Sequence, residues 1–210
     1  MQRKINLIIK RAFDFLGSFI CLLIASPVLL IVCLLIKIFM PGPIFFFQER
    51  VGKDGKVFKI YKLRTMKVDK EAEKSFNVAK DNERLTALGR VLRRFKIDEV
   101  VQLINVLKGD MSMVGPRPTV KIQTDAYSEY ERQRLKMSPG MTGLAQVNGN
   151  AKLSWKERID YDVTYVNTFS VWLDIKILCK TVLIVLFGEE KFIRKTSNSR
   201  DLHENESAKM

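Results

Sequence analysis

Residues 15–36 read FLGSFICLLIASPVLLIVCLLI, a run of 22 amino acids without a charged side chain. A membrane-crossing helix needs about 20 apolar residues, so this run is long enough to cross a bilayer. Basic residues flank it on both sides, with Lys10 and Arg11 before it and Lys37 after it. Because Lys and Arg near membrane ends favour the cytoplasm, a straight span would leave one basic flank on the disfavoured side.

Ser26 and Pro27, in the middle of the run, indicate a second arrangement. Pro27 lacks the N–H that would bond the carbonyl of Leu23, and Ser26 can bond a carbonyl in the preceding turn, so the helix can bend here. At ~1.5 Å per residue, a limb of about a dozen residues is too short for a hydrocarbon core of ~30 Å. Two options therefore stay open: a kinked transmembrane helix, and a re-entrant helix that dips into the membrane and returns to the same side.

The pattern after Pro41-Gly42-Pro43 predicts a helix-rich domain with a small β-hairpin. Strands are expected at Ile44–Gln48 and Val57–Tyr61, around the turn signal of residues 52–55. Residues 67–84 are charged and typical of a loop, and the polar tail after Gly188 is predicted to be disordered. Periodicity predicts helices over Leu85–Phe95, Ile97–Lys108, Ile122–Lys136, Leu153–Asn167 and Val171–Phe187. The last of these carries charges that suit a membrane interface or the core better than a second span.

The composition restricts the chemistry. Lys and Arg total 36 against 23 Asp and Glu, a formal net charge of +13, which predicts a polyanionic partner. The single histidine, His203, lies in the polar tail, so a Ser-His-Asp triad, a Cys-His dyad and a histidine-ligated zinc site are excluded. The three cysteines have no CxxC spacing, and there is neither a P-loop nor a GxGxxG motif. Catalysis must depend on carboxylates, Lys, Arg, hydroxyls or a carboxylate-bound metal.

Asp98 and Glu99 open one of the predicted helices and are the first candidates for chemistry. An aspartate there could attack phosphorus, and a second carboxylate could help to hold Mg²⁺. The same pair could also be an ordinary partner of the helix dipole. Nearby cations suit a diphosphate substrate, although they could equally form a solvated face or contact lipid headgroups: Lys62, Arg64, Arg90, Arg93, Arg94 and Lys96.

Two turn-rich stretches and one short acidic pattern complete the candidates. Gly115-Pro116-Arg117-Pro118 presents one arginine on a rigid backbone, and the glycine-rich stretch of residues 139–149 contains Gln146, which can bind polar edges. Both could instead be structural turns. Asp160-Tyr161-Asp162 spells a metal-binding DxD pattern, but it lies in a predicted helix, where residues two apart diverge, so a metal role is disfavoured.

Together these motifs resemble the small monotopic phosphoglycosyl transferases, also called the bacterial sugar transferase family. The resemblance rests chiefly on Ser26-Pro27, on the block from Asp98 to Leu103 and on Gly115-Pro116-Arg117-Pro118, and it covers nearly everything from Arg11 to Val185. Asn150 stands where the family pattern has an arginine.

The resemblance implies transfer of a sugar 1-phosphate from a UDP-sugar to polyprenyl (undecaprenyl) phosphate, which releases UMP and starts a surface polysaccharide or glycoconjugate. It implies that Asp98 is the nucleophile, that Glu99 beside it supports Mg²⁺, and that Ser26 and Pro27 form the bend of a re-entrant helix. The residues that it places at the phosphates or the nucleotide are Lys62, Arg64, Arg93, Pro116, Arg117 and Gln146.

The resulting expectation is an α-rich α/β enzyme of the bacterial inner membrane with its catalytic domain on the cytoplasmic face. Residues 1–40 would form the re-entrant helix, 41–188 the catalytic domain with interfacial amphipathic helices, and 189–210 a disordered tail. Its expected partners are the UDP-sugar, polyprenyl phosphate and anionic lipids, with no nucleic acid; the oligomeric state stays open, a homodimer included. The alternatives are a one-step glycosyltransferase that releases UDP and a non-enzymatic basic membrane adaptor. The sequence does not identify the sugar.

Overall fold

A computed structural model describes residues 2–68 and 84–188, and its most extended element is the N-terminal helix. This helix, α1, runs from Gln2 to Phe39 and contains Pro27. Within the described residues it is the one helix long and apolar enough to cross a membrane, and only 11% of its most apolar window is buried inside the protein. It ends just before Pro41, as predicted, and Gly42 takes a left-handed backbone (φ 115°). The expected long apolar N-terminal helix is therefore confirmed.

The Ser26-Pro27 step has the local hydrogen bond that the sequence predicts. The Ser26 hydroxyl donates to the carbonyl of Leu23 at 2.8 Å. That carbonyl is the one that the missing N–H of Pro27 leaves without its regular helical donor. The serine thus satisfies the carbonyl that the proline exposes, inside a helix that continues on both sides.

The predicted hairpin is present, with strands longer than expected. Strand β1 (Phe45–Val51) pairs antiparallel with β2 (Val57–Leu63), with Phe45 opposite Leu63. The short 3₁₀ turn between them, Lys53–Gly55, needs left-handed backbone at Asp54 (φ 54°) and at Gly55 (φ 80°). The backbone N–H of Val51 donates a hydrogen bond to the carbonyl of Thr119 at 2.8 Å. This bond fixes the hairpin against residues 115–118, here called the Pro-rich turn.

Helix α2 (Ala87–Arg94) confirms the helix predicted over Leu85–Phe95. Its N-cap is Thr86, whose side chain accepts a hydrogen bond from the N–H of Gly89. Gly89 permits close packing of the helix on the end of the hairpin, because a Cβ there would lie 1.9 Å from the carbonyl oxygen of Thr65. Most of the charged segment predicted as a loop, 67–84, lies outside the described residues, as does the tail after Gly188.

Two of the helices predicted as continuous are divided into shorter ones in the structure, so the prediction of their continuity is wrong. The helix expected over Ile97–Lys108 is divided into α3 (Ile97–Val100) and α4 (Leu103–Lys108). The backbone stays right-handed between them, but its hydrogen bonds tighten to three-residue spacing, as from Gln102 to Glu99 at 3.0 Å. The buried side chains of Val101 and Gln102 occupy this step, so tertiary packing overrides the helical periodicity. The predicted stop at Gly109 is confirmed by its left-handed φ of 93°.

The helix expected over Ile122–Lys136 is likewise interrupted. It consists of α5 (Lys121–Asp125), α6 (Glu129–Arg132) and a 3₁₀ turn over Gln133–Lys136. Ser128 forms a capping box with Glu131, and this cap starts a new helix where the pattern predicts a continuous one.

The stretches predicted as turns contain a small parallel sheet. Strand β3 (Ser112–Val114) pairs with β4 (Gly140–Thr142), and α7 (Leu144–Asn148) follows directly. A short 3₁₀ turn, Asn150–Lys152, then leads to the last helices.

The last two helices agree with the sequence. Helix α8 covers Trp155–Thr168, and α9 covers Val171–Phe187, as predicted. One apolar core lies under the second half of α1, and a second surrounds β3, α8 and α9. The protein is therefore helix-rich, with a small β component and one long apolar N-terminal helix.

Both halves of α1 are attached to the same folded unit. Near its start, Lys10 donates to the carbonyl of Val114 at 2.8 Å and to Asp174 at 2.6 Å, both buried. At its end, the Arg64 guanidinium donates to the carbonyl of Pro41 at 2.9 Å and to that of Met40. The helix is thus held by polar contacts at both ends and by apolar packing between them.

Candidate active site

A cavity of about 1010 Å³ lies between the hairpin, α2, α3, the Pro-rich turn and α8. As far as the described residues form it, its wall is strongly basic and holds three carboxylates, those of Asp98, Glu99 and Asp162. The cationic residues of the wall are Arg50, Lys62, Arg64, Lys67, Arg84, Arg93, Lys96, Arg117, Arg134 and Arg158. This excess of positive charge favours an anionic ligand, and paired guanidinium groups match phosphate oxygens.

Asp98 lies in the first turn of α3 and lines this cavity, with only 7% of its surface exposed. Lys96, immediately before the helix, has a left-handed backbone (φ 55°) that turns the chain out of α2 and into α3. Burial raises the pKa of the Asp98 carboxyl above its ordinary value, and the charge of Glu99 raises it further, while Lys62 and Arg93 oppose the rise. A buried carboxylate of this kind suits nucleophilic chemistry.

Glu99 connects three separate parts of the chain. Its Oε1 atom accepts a hydrogen bond from Lys62 on β2 at 2.7 Å and another from Arg117 in the Pro-rich turn at 3.1 Å. Burial raises the pKa of Glu99, but Arg117 and Lys62 together outweigh burial and bring that pKa to about 2. Glu99 is therefore ionised throughout the physiological range and fixes two cations beside Asp98.

The other cationic residues predicted at the site have different surroundings. Arg93 lines the cavity and is oriented by a 3.0 Å hydrogen bond from its Nε to the hydroxyl of Thr65. Arg64 also lines the cavity, but its guanidinium bonds the carbonyls that follow α1, so it also closes the end of that helix.

Pro116 stands apart from the large cavity. It lines a small neighbouring pocket, and its carbonyl accepts the N–H of Gly140 at 2.9 Å. It thereby ties the Pro-rich turn to β4, while Arg117 projects into the large cavity. The carbonyl of Arg117 accepts from Arg134 at 2.9 Å, which fixes the turn from the other side.

Gln146 lines the cavity as predicted, with an unusual feature. Both polar atoms of its side-chain amide are buried, and within the described part of the chain neither has a hydrogen-bond partner. Leaving such atoms unsatisfied is costly, so this amide is suited to a ligand that offers both a donor and an acceptor.

Asp162, for which the sequence analysis disfavours a metal role, also lines the cavity. Its Oδ2 pairs with Arg134 at 2.5 Å, and its Oδ1 is buried without a partner among the described residues. Asp160 instead accepts from the hydroxyl of Tyr130 at 3.0 Å. The expectation that the two aspartates diverge is confirmed, and the described residues contain no cluster of three or more His, Cys, Asp or Glu side chains able to hold a metal. The DxD pattern suggests Asp162 only as a metal ligand; that its Oδ1 has no partner depends on packing, which no sequence pattern predicts.

The chain is similar in sequence to known sugar transferases. The bacterial sugar transferase family profile matches residues 5–188. An uncharacterised sugar transferase, EpsL, from Bacillus subtilis (strain 168) is 42% identical over 183 residues, which is 87% of this chain and 90% of that protein.

Two relatives have names that state an activity. The UDP-glucose:undecaprenyl-phosphate glucose-1-phosphate transferase of Escherichia coli (strain K12) is 40% identical over 186 residues, 85% of this chain and 40% of that protein. The undecaprenyl-phosphate galactose phosphotransferase of Salmonella typhimurium (strain LT2) is 38% identical over 203 residues, 89% of this chain and 42% of that protein. The chain thus spans less than half the length of these two proteins. With the profile match over most of its length, the chain belongs to the bacterial sugar transferase family.

Proposed function

We propose that this protein transfers a sugar 1-phosphate from a UDP-sugar to polyprenyl phosphate through a covalent intermediate on Asp98. The observation that carries the proposal is the position of Asp98, a buried carboxylate beside Glu99 in a basic cavity. The names of the relatives, which specify undecaprenyl phosphate and sugar phosphates, support this substrate class.

In the first step, a carboxylate oxygen of Asp98 attacks the phosphorus that carries the sugar. The bond between this phosphorus and the oxygen that bridges the two phosphates breaks, and UMP leaves with that oxygen. The product is an aspartyl-phosphosugar. Burial of Asp98 raises its pKa, which makes the ionised carboxylate a stronger nucleophile than a solvated one.

In the second step, an oxygen of polyprenyl phosphate attacks the same phosphorus. The bond to Asp98 breaks, the carboxylate is restored, and polyprenyl-diphosphate sugar leaves. No proton is gained or lost overall, so the reaction needs no histidine.

The cationic residues around Asp98 bind the phosphates of the substrates. In this mechanism Lys62 and Arg117, held beside Asp98 by Glu99, stabilise the charge that develops on the transferring phosphoryl group, and Arg93, oriented by Thr65, assists them. The donor set fits Mg²⁺, because this ion is commonly held by one or two carboxylates together with substrate phosphates, and Asp98 and Glu99 are adjacent carboxylates in the cavity. When bound, Mg²⁺ would neutralise phosphate charge.

For the membrane helix, we favour the re-entrant arrangement on the cytoplasmic face of the bacterial inner membrane. Lys10 near the start of α1 and Met40 after its end contact the same folded unit. Polar anchors of this kind at both ends are difficult to combine with ends on opposite sides of a bilayer. The arrangement also leaves the basic flanks on one side, where anionic headgroups are available.

The two alternatives have less support. A one-step glycosyltransferase using Asp160 and Asp162 would need both carboxylates at one metal, whereas they bind different partners. A non-enzymatic adaptor does not require a large basic cavity with a buried carboxylate in its wall.

The test is incubation of the purified protein with a panel of UDP-sugars and Mg²⁺ in the absence of lipid. We expect one of them to release UMP and to add one phosphosugar to the intact mass, because step one needs no acceptor. Asp98→Asn should lose both signals, while the exposed Asp125→Asn should keep both. Release of UDP, or normal turnover by Asp98→Asn, would refute the mechanism.

A further inference from the structure

Three consecutive phenylalanines on β1 are unusually exposed. Phe45, Phe46 and Phe47, here called the aromatic strip, have 39%, 36% and 53% of their surfaces accessible. All three line the cavity that contains Asp98. An apolar wall beside a cluster of cations suits a ligand in which an apolar chain adjoins an anionic group. A nucleobase also stacks on aromatic rings, so the experiment below measures the sugar-nucleotide step separately from the lipid step.

Phe46 pairs across the hairpin with one of the cations of the site. In the hairpin it is directly opposite Lys62, so the two side chains project from the same face. Lys62 in turn bonds Glu99 at 2.7 Å, next to Asp98. Phe46 therefore neighbours a cation that is bonded to the residue beside the candidate nucleophile.

Phe45 and Phe47 extend the strip onto the other face of the strand. Their ring centroids are 6.4 Å apart, and Phe47 packs edge-on against Tyr61 at 5.2 Å. The contact with Tyr61 holds Phe47 in place although more than half of it is exposed. The strip is therefore an ordered surface, and an apolar ligand could bind it at a low entropic cost.

The strip is continuous with the membrane helix along the chain. Ile38 and Phe39 at the end of α1 are 60% and 68% exposed, as suits contact with lipid. Pro43, between α1 and β1, also lines the cavity. Apolar side chains therefore lead from the membrane element to the wall of the site.

We propose that the aromatic strip binds the isoprenoid chain of the lipid acceptor next to its phosphate. This inference rests on the proposed function. A polyprenyl phosphate combines an anionic head with an apolar chain, and the cavity combines cations at Asp98 with phenylalanines beside them. The acceptor would leave the bilayer along Phe39, Pro43 and Phe46 and present its phosphate beside Lys62. Gln146 and Asp162 lie elsewhere in the wall and stay available to bind the UDP-sugar.

The experiment measures the two steps separately on the full chain in detergent. UMP release without lipid reports step one, and transfer from the loaded enzyme reports step two, with a long-chain and a single-isoprene phosphate as acceptors. Phe46→Ser should lower the ratio of step-two to step-one rates about tenfold for the long chain and much less for the single isoprene, since the lost contact is apolar. Phe46→Leu should restore most of this ratio.

Val57→Ser is the matched control, because Val57 is a half-exposed residue of the same hairpin that does not line the cavity. It should keep the ratio of the unaltered enzyme. Phe47→Ser supplies a second variant and should lower the long-chain ratio as well.

Three outcomes would overturn the proposal. A normal long-chain ratio in both serine variants would show that the strip does not bind the acceptor. An equal fall in the rate ratio with both acceptors would show that the substitution affects binding of the phosphate and not of the isoprenoid chain. If the serine variants no longer float with lipid vesicles while the unaltered protein does, the strip contacts the bilayer itself and not the isoprenoid chain of the acceptor. Failure of the unaltered protein to release UMP would instead refute the proposed function, and the inference with it.

Discussion

Glu99 illustrates how one side chain can organise a site without reacting. A single oxygen of this residue bonds Lys62 from the hairpin and Arg117 from the Pro-rich turn. Because these cations outweigh the effect of burial, Glu99 keeps a pKa of about 2 and a permanent charge. The same charge raises the pKa of the neighbouring Asp98. Two adjacent carboxylates are thereby given opposite pKa shifts by their surroundings.

This asymmetry leads to a prediction about titration. In metal-free buffer, carboxyl carbon NMR should show Asp98 titrating above its ordinary value of 3.8, since burial disfavours its charged form. Glu99→Gln removes a negative neighbour, so the pKa of Asp98 should fall. Lys62→Met removes a positive neighbour, so the same pKa should rise. Shifts in the same direction for both variants would contradict this account of the site.

The sequence predicts some of the residues that line the cavity and misses the feature that distinguishes others. Asp98, Glu99 and Arg117 stand in short, distinctive motifs, and all three line one cavity. Pro116 belongs to the same motif but lies outside that cavity, because adjacent residues of a turn point in different directions. Gln146 and Asp162 acquire their unpartnered atoms only from the packing around them.

At the level of elements, α1 combines two local signals with opposite effects. Its apolar length favours a crossing of the membrane, whereas Ser26 and Pro27 replace a backbone hydrogen bond with a side-chain one, from Ser26 to Leu23. A proline inside a helix removes one backbone bond and disturbs the preceding turn, which lowers the cost of a bend. The position at which α1 can bend most easily is therefore a property of the sequence.

The membrane topology of α1 can be tested with thiol labels. In a variant lacking the native cysteines, a cysteine introduced by Gln2→Cys should react with a membrane-impermeant reagent only from the cytoplasmic side, as should one introduced by Lys121→Cys. Pro27→Ala restores the missing N–H, so a fraction of the molecules should expose the N-terminus on the opposite side. Labelling of Gln2→Cys only from the periplasm, with Pro27 present, would show that α1 spans the membrane.

At the level of the whole molecule, a buried polar cluster joins the membrane helix to the rest of the protein. Lys10 pairs with Asp174 at 2.6 Å, and Asp174 also accepts the hydroxyl of Tyr165 at 2.7 Å. Asp14, one turn after Lys10, accepts the backbone N–H of Met113 at 2.9 Å. The cluster thereby holds α1, β3, α8 and α9 together in one folded unit.

Breaking this cluster should destabilise the protein. Lys10→Met leaves the buried carboxylates of Asp14 and Asp174 without the cation that they share, so the free energy of unfolding in detergent should fall by about 3–5 kcal/mol. The double variant Lys10→Met, Asp174→Leu should lose less, because only Asp14 then lacks a cation, and Asp14 keeps the hydrogen bond from the N–H of Met113. As a control, Asp125→Asn breaks an exposed pair with Lys121 and should cost under about 0.5 kcal/mol. An equal loss in the single and double variants would contradict a charge-based anchor.

The sequence by itself determined the features that depend on neighbouring residues and on composition. These are the apolar helix with its Ser-Pro step, the hairpin, the glycine stop at Gly109 and a chemistry without histidine. Only the tertiary structure decided where the longer helices break, which cations meet Glu99 and that Asp162 faces the cavity. The physical reason is that Lys62, Glu99 and Arg117 lie on a strand, a helix and a turn far apart in the chain, and only the packing of these elements sets the distances between them.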